Sequence, residues 1–277
     1  MERMNFLYCG NRGVFDGVMT SALSVVRRLS APRALTVYIF TMELSSLSER
    51  YIPVTDEQAE LLRCVLRRHN PDTEVCLIDV SEAYRAHFAG SPNEGCYCSP
   101  YTLLRLFAEL YIEADKLLYL DADTMFVKDP LLLYEQSVEG VEYAASTDHY
   151  GKFFISPRYI NAGVLLFNMS EARRTGLFVK AREWIGKKKL PFADQSALLR
   201  ATTRRRMISQ RFNDQKFLYK GTVLRHFSKR LFWFPYPHTE NVKQWQVSRM
   251  KRIFGYTCFD DCLDEYLAIK EKHPDAF

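Results

Sequence analysis

Two carboxylates, Asp121 and Asp123, stand at the end of the apolar run Leu117-Leu-Tyr-Leu120. A bare Asp-x-Asp arises about once by chance in a chain of this composition, so its setting carries the meaning. The apolar run predicts a buried strand. Side chains at i and i+2 of an extended segment point the same way, which puts both carboxylates on one face where the strand ends. Two like charges so placed are costly unless a cation joins them. Hard oxygen ligands suit Mn²⁺ or Mg²⁺, and a diphosphate would complete the shell. The bland alternative is a solvated turn after a strand.

Other candidates follow the same logic of strand ends. Asp148 closes the run Tyr143-Ala-Ala-Ser-Thr147. Asn161-Ala-Gly163 precedes Val164-Leu-Leu-Phe167; glycine permits close backbone approach and asparagine offers both a donor and an acceptor. Asp194-Gln195 opens a helical segment, where Asp194 also reads as a plain N-cap. His226 follows Thr222-Val-Leu-Arg225. A lone histidine is usually structural, but it complements two carboxylates as a third ligand if the fold joins them.

The elements that must position these groups alternate between strand and helix in the first half. Strands are expected at 5–9, 34–41, 74–80 and 116–120, with a turn at Gly10-Asn-Arg-Gly13. Helices are expected at 14–29, after the capping box Thr55-Asp-Glu-Gln58, and from Ser99-Pro100 to about Ile112. This alternation implies a mostly parallel sheet with helices on both faces, whose carboxyl ends are the usual ligand edge. The second half is less regular. It suggests strands at 142–147 and 164–168, helices at 170–187 and 194–201, an aromatic stretch after His226, and a last helix at 258–272.

Composition narrows the class. The 277 residues are 47% hydrophobic and 26% charged, which fits a folded globular chain. Net charge is +5, and no zinc-finger or RNA-recognition signature accompanies it, so a nucleic-acid partner is not expected. Arg204-Arg205-Arg206, the sharpest basic cluster, reads as a solvated face. No apolar run approaches the roughly 20 residues of a membrane span, and no signal peptide is evident. An odd count of 7 cysteines suggests reduced thiols and a cytoplasmic location, with at most peripheral contact at the inner membrane face. Cys96, Cys98, Cys258 and Cys262 lack the usual zinc spacing. Asn168-Met-Ser170 matches a glycosylation sequon but lies in an apolar stretch, so it is discounted.

Taken in order, Arg105, Asp121-Ala-Asp123, Asn161-Ala-Gly163-Val-Leu-Leu-Phe-Asn168, Asp194-Gln195 and His226-Phe-Ser228 resemble family eight of the glycosyltransferases, which includes bacterial lipopolysaccharide glycosyltransferases and the glycogenins. The resemblance implies a GT-A fold, a UDP-sugar donor, a divalent metal (usually Mn²⁺), and retention at the anomeric carbon. It implies a saccharide or glycolipid acceptor. Asp121, Asp123 and His226 match its metal ligands. Cys9, Gly10 and Asn11 match the nucleotide loop, and Ala122 accompanies the carboxylates at the donor. Arg105 matches an arginine near the diphosphate and sugar. Asp148, Asn161 and Gly163 match residues around the transferred sugar, and Asp194 and Gln195 the reacting face, with Gln195 either a nucleophile or the lining of a front-face reaction. The organisation implied is one catalytic domain over 1–235, with a nucleotide half to about 125 and an acceptor half beyond it, and an extension over 236–277.

The chain departs from the family pattern twice. Asn11-Arg12 stands where the first loop is usually acidic, with Val14 or Phe15 in place of the usual base-stacking aromatic. After the histidine the family shows Gly and then Lys-Pro-Trp, the lysine meeting the diphosphate. Here the run is His226-Phe-Ser-Lys229-Arg230-Leu-Phe-Trp233, which points to Lys229 as the replacement. The rival readings are a nucleotidyltransferase, for which Gly10-x-x-Gly13 is a thin phosphate loop, and a binding protein that has lost turnover.

Overall fold

Apolar strands and amphipathic helices build a seven-stranded sheet in the computed structural model, which describes residues 3–94, 99–232 and 234–277. Strands β1 (Met4–Cys9), β2 (Leu35–Thr41), β3 (Thr73–Asp79) and β4 (Lys116–Leu120) lie in the order β3-β2-β1-β4, all parallel. A short β5 (Thr124–Phe126) leaves this sheet. Strands β6 (Tyr143–Thr147), β7 (Ile160–Asn168) and β8 (Arg205–Met207) extend it in the order β4-β7-β6-β8. Only β7 runs against its neighbours, pairing antiparallel with both β4 and β6. Its reversal puts the start of β7 at the carboxyl end of β4, where Leu120 pairs with Val164.

The run Leu117-Leu-Tyr-Leu120 is apolar throughout because both faces of the sheet are covered. Leu118 and Leu120 point into one core layer with Phe6 and Val18, and Leu117 and Tyr119 into the other with Leu7 and Phe167. The first layer packs under α1 (Phe15–Arg28) and α2 (Asp56–His69). Helix α2 starts as the capping box requires: Gln58 N donates to Thr55 Oγ1 at 3.2 Å and Thr55 N to Gln58 Oε1 at 3.0 Å.

Several elements differ from the sequence reading. Residues 81–88 add α3 (Ser81–Phe88), which the pattern did not reveal. The segment expected as one helix from Ser99 is a 3₁₀ run, Pro100–Phe107, and turns α-helical only in α4 (Ala108–Tyr111). Nearly every side chain of that run is buried, so no solvent-facing stripe of period 3.6 enforces α geometry. Short helices α5 (Leu131–Tyr134) and α6 (Gly151–Phe154) flank β6. The expected helix 170–187 is broken at Gly176, whose φ of 67° ends α7 (Met169–Thr175) before α8 (Leu177–Lys187) begins. Asn168, the sequon residue, caps α7 by accepting from Glu171 N at 3.0 Å. Helix α9 (Ala193–Ala201) starts beyond Phe192, so Asp194 lies in the first turn rather than at the cap.

Beyond α9, β9 (Leu224–His226) pairs antiparallel with β5, and β10 (Arg230–Phe232) with β11 (His238–Glu240) as a hairpin. Helices α10 (Val247–Phe254) and α11 (Asp260–Lys272) close the chain. Cys262, Leu263, Tyr266 and Ile269 of α11 join the core layer that holds Phe6 and Val18. Arg27 and Arg28 of α1 grip Asp261 at 3.2 and 2.7 Å. The residues 236–277 thus help build the main core. Among the described residues, no helix is long and apolar enough to cross a membrane.

Candidate active site

The carboxyl end of β4 gathers the candidate residues. Asp121 follows the strand directly, and its backbone N–H donates to Gly163 O across the β4–β7 junction at 2.7 Å. Pairing of Thr124 with His226 brings β9 beneath the carboxylates, and Phe227 N donates to Asp123 O at 2.7 Å. As a result Asp121, Asp123 and His226 each present a ligand atom, all within 4.8 Å of one another. His226 Nε2 lies 3.1 Å from Asp123 Oδ1 and 3.8 Å from Asp121 Oδ2.

Glycine at 163 opens this space. A Cβ there would lie 2.3 Å from His226 Cε1 and 2.6 Å from Asp121 Oδ2. Two carboxylates, one imidazole and a cradle that a methyl would fill suit a divalent cation with mixed oxygen and nitrogen ligands.

Arg105 is buried behind the carboxylates, with 1% of its surface exposed. Its guanidinium stacks 3.8 Å above the Tyr119 ring. Nη2 donates to Asp121 Oδ1 at 3.1 Å, Nε to Thr102 O at 2.8 Å, and Nη1 to Ala162 O. Asp194 Oδ2 lies 3.4 Å from Nε. Burial pushes the Asp194 carboxyl above its ordinary value, with Arg105 pulling the other way. Gln195, one residue on, accepts from Ala162 N at 3.0 Å and lines the adjoining cavity. Tyr119 donates to Asp121 Oδ1 at 2.5 Å.

Asp148 is held by its own turn. Its Oδ1 accepts from Tyr150 N and Gly151 N at 3.0 and 2.6 Å, and its Oδ2 from Asn161 Nδ2 at 2.9 Å. Asn161 Oδ1 accepts from Gly163 N at 3.0 Å. The loop after β1 is pinned by Gly10 N to Phe40 O at 3.0 Å and by Asn11 Nδ2 to Arg50 O at 2.9 Å. Cys9 ends β1 close to Arg105 and Asp121, and burial pushes its thiol up. Phe15 is fully buried against Phe277, so it offers no face to a base. Trp233, Cys96 and Cys98 lie outside the described residues.

Lys229 lines the cavity beside Ser228, Arg230 and Asp148. A lysine that the sequence reading passed over meets one of the carboxylates directly. Lys243 Nζ is ion-paired with Asp123 Oδ2 and donates to Phe227 O at 3.1 Å. Burial opposes charge on Asp123, but Lys243 and His226 hold its carboxyl well below the usual range. Gln244 Nε2 donates to Ala122 O at 2.7 Å, and Trp245 packs where a side chain at Gly17 would go. Lys243-Gln-Trp245 retains the Lys-x-Trp spacing, displaced along the chain by the β10–β11 hairpin. Asn213, whose Oδ1 meets His226 Nδ1 at 3.0 Å, was also missed and carries no local signal.

Comparison with known proteins decides the family. The model described as glycosyl transferase family 8 matches residues 5–230. The chain belongs to that family. A curated relative, Glycosyltransferase GlyA of Streptococcus pneumoniae serotype 4, is 34% identical over 115 residues, 39% of this chain and 16% of its own length. This family-8 chain thus spans about a sixth of the curated relative that it matches. Among solved structures, galactosyltransferase LgtC in complex with donor and acceptor sugar analogues superposes with a TM-score of 0.70 at 19% identity, covering 99% of this chain and 100% of that one. The bifunctional glycosyltransferase WbbM also gives 0.70, at 15% identity over 97% of this chain and 51% of its own. GlyE of Streptococcus pneumoniae TIGR4 gives 0.63 at 17% identity, covering 97% of this chain and 64% of that one. The fold of this family-8 chain is GT-A, as the sequence led one to expect.

Proposed function

We propose that this chain is a metal-dependent, retaining glycosyltransferase that moves a hexose, glucose or galactose, from a UDP-sugar to a saccharide or glycolipid acceptor. The observation that carries the reading is the triad Asp121, Asp123 and His226, gathered within 4.8 Å at the ligand edge of a family-8 fold with Gly163 leaving room between them. These three residues would hold Mn²⁺ or Mg²⁺, which when bound supplies Lewis-acid charge at a leaving diphosphate.

The remaining roles belong to the chain itself. Cys9, Gly10, Asn11 and Ala122 contribute the nucleotide side of the cleft. Arg105 ties Asp121, Asp194 and the Ala162 carbonyl together, and so sets the spacing between the metal side and the sugar side. Asp148, Asn161 and Gly163 border the transferred sugar. Gln195 faces it from a position fixed by Ala162 N–H, whereas Asp194 is withdrawn behind Arg105. Lys243 sits at Asp123 in the place suited to a diphosphate, which makes it a candidate for that role alongside Lys229.

Support for the acceptor comes from a cavity of about 580 Å³ beside Gln195. Asp148, Asn161 and Gln195 form its inner wall, and the exposed Phe154, Ile155 and Phe192 its rim. A polar interior with an apolar mouth suits a sugar hydroxyl carried on an apolar aglycone. Phe153 at 73% and Phe154 at 84% exposure suit peripheral contact with a membrane that presents such a glycolipid.

The test is product analysis with UDP-glucose and UDP-galactose, with and without Mn²⁺. Metal-dependent UDP release and an α-linked product from an α-linked donor are expected. Release of the hexose 1-phosphate, the leaving group when the uridylyl group is transferred in place of the sugar, would mean a nucleotidyltransferase. Donor binding with no UDP release under any condition would mean a binding protein.

A further inference from the structure

A chain of side-chain hydrogen bonds runs from Asp148 to His226, and its polarity is fixed at the far end. Asn161 turns its NH₂ to Asp148 Oδ2, donating at 2.9 Å. Gly163 N, a backbone donor, independently requires that the other Asn161 atom, 3.0 Å away, be oxygen. Asn213 meets that same oxygen at 2.9 Å, so it too must present its NH₂ there. Its own oxygen is left facing His226 Nδ1 at 3.0 Å. Both asparagines are held by more than one bond, and Asn213 is 1% exposed.

We infer that Asn213 is a positioning residue that keeps the ring proton of His226 on Nδ1, so that Nε2 is the atom available to a cation beside Asp121 and Asp123. The inference rests on the metal-site reading above. Asp123 pulls from the opposite side, because its Oδ1 lies 3.1 Å from Nε2 and would accept a proton there. An amide oxygen on Nδ1 offsets that pull. It leaves the Nε2 lone pair facing Asp121 and Asp123, and it holds the ring plane in place. Histidine ligands generally depend on such a partner on the other ring nitrogen, and its loss costs 10–100-fold in metal affinity or activity. The relay also links the site's two sides, since Asn161 and Asp148, which border the transferred sugar, set the orientation of a group behind the cation.

The test measures Mn²⁺ affinity by electron paramagnetic resonance, and the melting temperature of the metal-free protein, for wild type, Asn213→Leu, Asn213→Asp and His226→Ala. Asn213→Leu removes the acceptor and should weaken Mn²⁺ binding by roughly 10–100-fold. Asn213→Asp keeps an oxygen for Nδ1–H but turns a second oxygen toward Asn161. It should therefore melt lower than wild type while binding Mn²⁺ more tightly than the leucine variant. A merely structural asparagine would rank affinity and melting temperature together. Wild-type affinity in Asn213→Leu, or an equal loss in Asn213→Asp, overturns the positioning role. Should the leucine variant fail to fold, Asn213→Ser, which removes the reach of the acceptor, is read the same way. His226→Ala keeps the two failures apart. If it binds Mn²⁺ as wild type does, or if wild type binds none, the metal-site reading falls and the inference with it.

Discussion

Replacing Gly163 by alanine separates the fold from the chemistry. The residue lies in β7 with ordinary strand geometry, since only Gly90, Gly140, Gly176 and Gly255 have positive φ among the described glycines. Alanine therefore costs nothing in backbone conformation, and by reducing unfolded-state entropy it contributes about 0.5–1 kcal/mol of stability. The cost falls on its neighbours. The new methyl would lie 2.3 Å from His226 Cε1, and an ordinary contact begins at 3.4 Å, so ring or strand must move by about 1.1 Å. Overpacking of this kind costs about 1–3 kcal/mol, so after the gain the apo protein should lose about 1 kcal/mol. Displacement by about 1 Å at a reacting centre costs about a hundredfold in rate. The assay pairs apo melting temperature with Mn²⁺ titration and UDP release. Gly163→Ala should melt within a few degrees of wild type, yet bind Mn²⁺ weakly and turn over about a hundredfold more slowly. A variant that binds Mn²⁺ and turns over normally would refute the claim that this glycine makes room for the cation.

Four further outcomes are expected. Lys243→Met should lower kcat/KM by about a hundredfold, as loss of a positioned cation at developing charge does, and should slow donor hydrolysis without acceptor equally. Lys229→Met should raise the acceptor KM and spare that hydrolysis; equal loss of hydrolysis in both would return the phosphate role to Lys229. Arg105→Met leaves Asp121 and Asp194 without their shared partner, and should cost about 3–5 kcal/mol in chemical denaturation. Asp261→Asn tests the clasp between α1 and α11. Hydrogen bonds from Arg28 and then Arg27 hold the Asp261 carboxyl below its ordinary value, so the clasp is at full strength above the unfolded value near pH 4 and fades as pH falls below it. With Asp261 38% exposed, solvent screening limits the loss to about 1 kcal/mol, or about 2 °C in Tm at pH 7, and the difference from wild type should shrink below about pH 4. A gap that persisted unchanged at pH 3 would assign the clasp to packing instead.

Local signals in the sequence located the parts whose causes are local. The strand Lys116–Leu120, the Thr55 capping box and the paired carboxylates were legible because apolar runs, caps and i, i+2 spacing act within a few residues. The 3₁₀ run at Pro100–Phe107 was not, because a segment buried on almost every side leaves no period to read. The break at Gly176 carried its own signal, a glycine inside a helical pattern, and the pattern on both sides outweighed it. The meeting of His226 with Asp123 depends on pairing between two three-residue strands about a hundred positions apart, which only the assembled fold specifies. Lys243 was hidden by distance along the chain and Asn213 by its place in an irregular loop.

The hairpin that hid Lys243 stands on two feet planted in the site: the segment leaves at His226 and Phe227 and returns at Lys243, whose Nζ reaches back to the Phe227 carbonyl. Because the ends are clamped by the chemistry they serve, the span between them is thermodynamically cheap to vary; doubling a closed loop costs only about 0.6 kcal/mol. The segment is thus a cassette. Its Leu231 and Thr239 wall the cavity beside Gln195, while the carboxylates and imidazole stand at the ends of β4, β5 and β9. Selection can lengthen, shorten or rewrite this insert and so reshape the cavity, while leaving the Asp121, Asp123 and His226 cluster untouched.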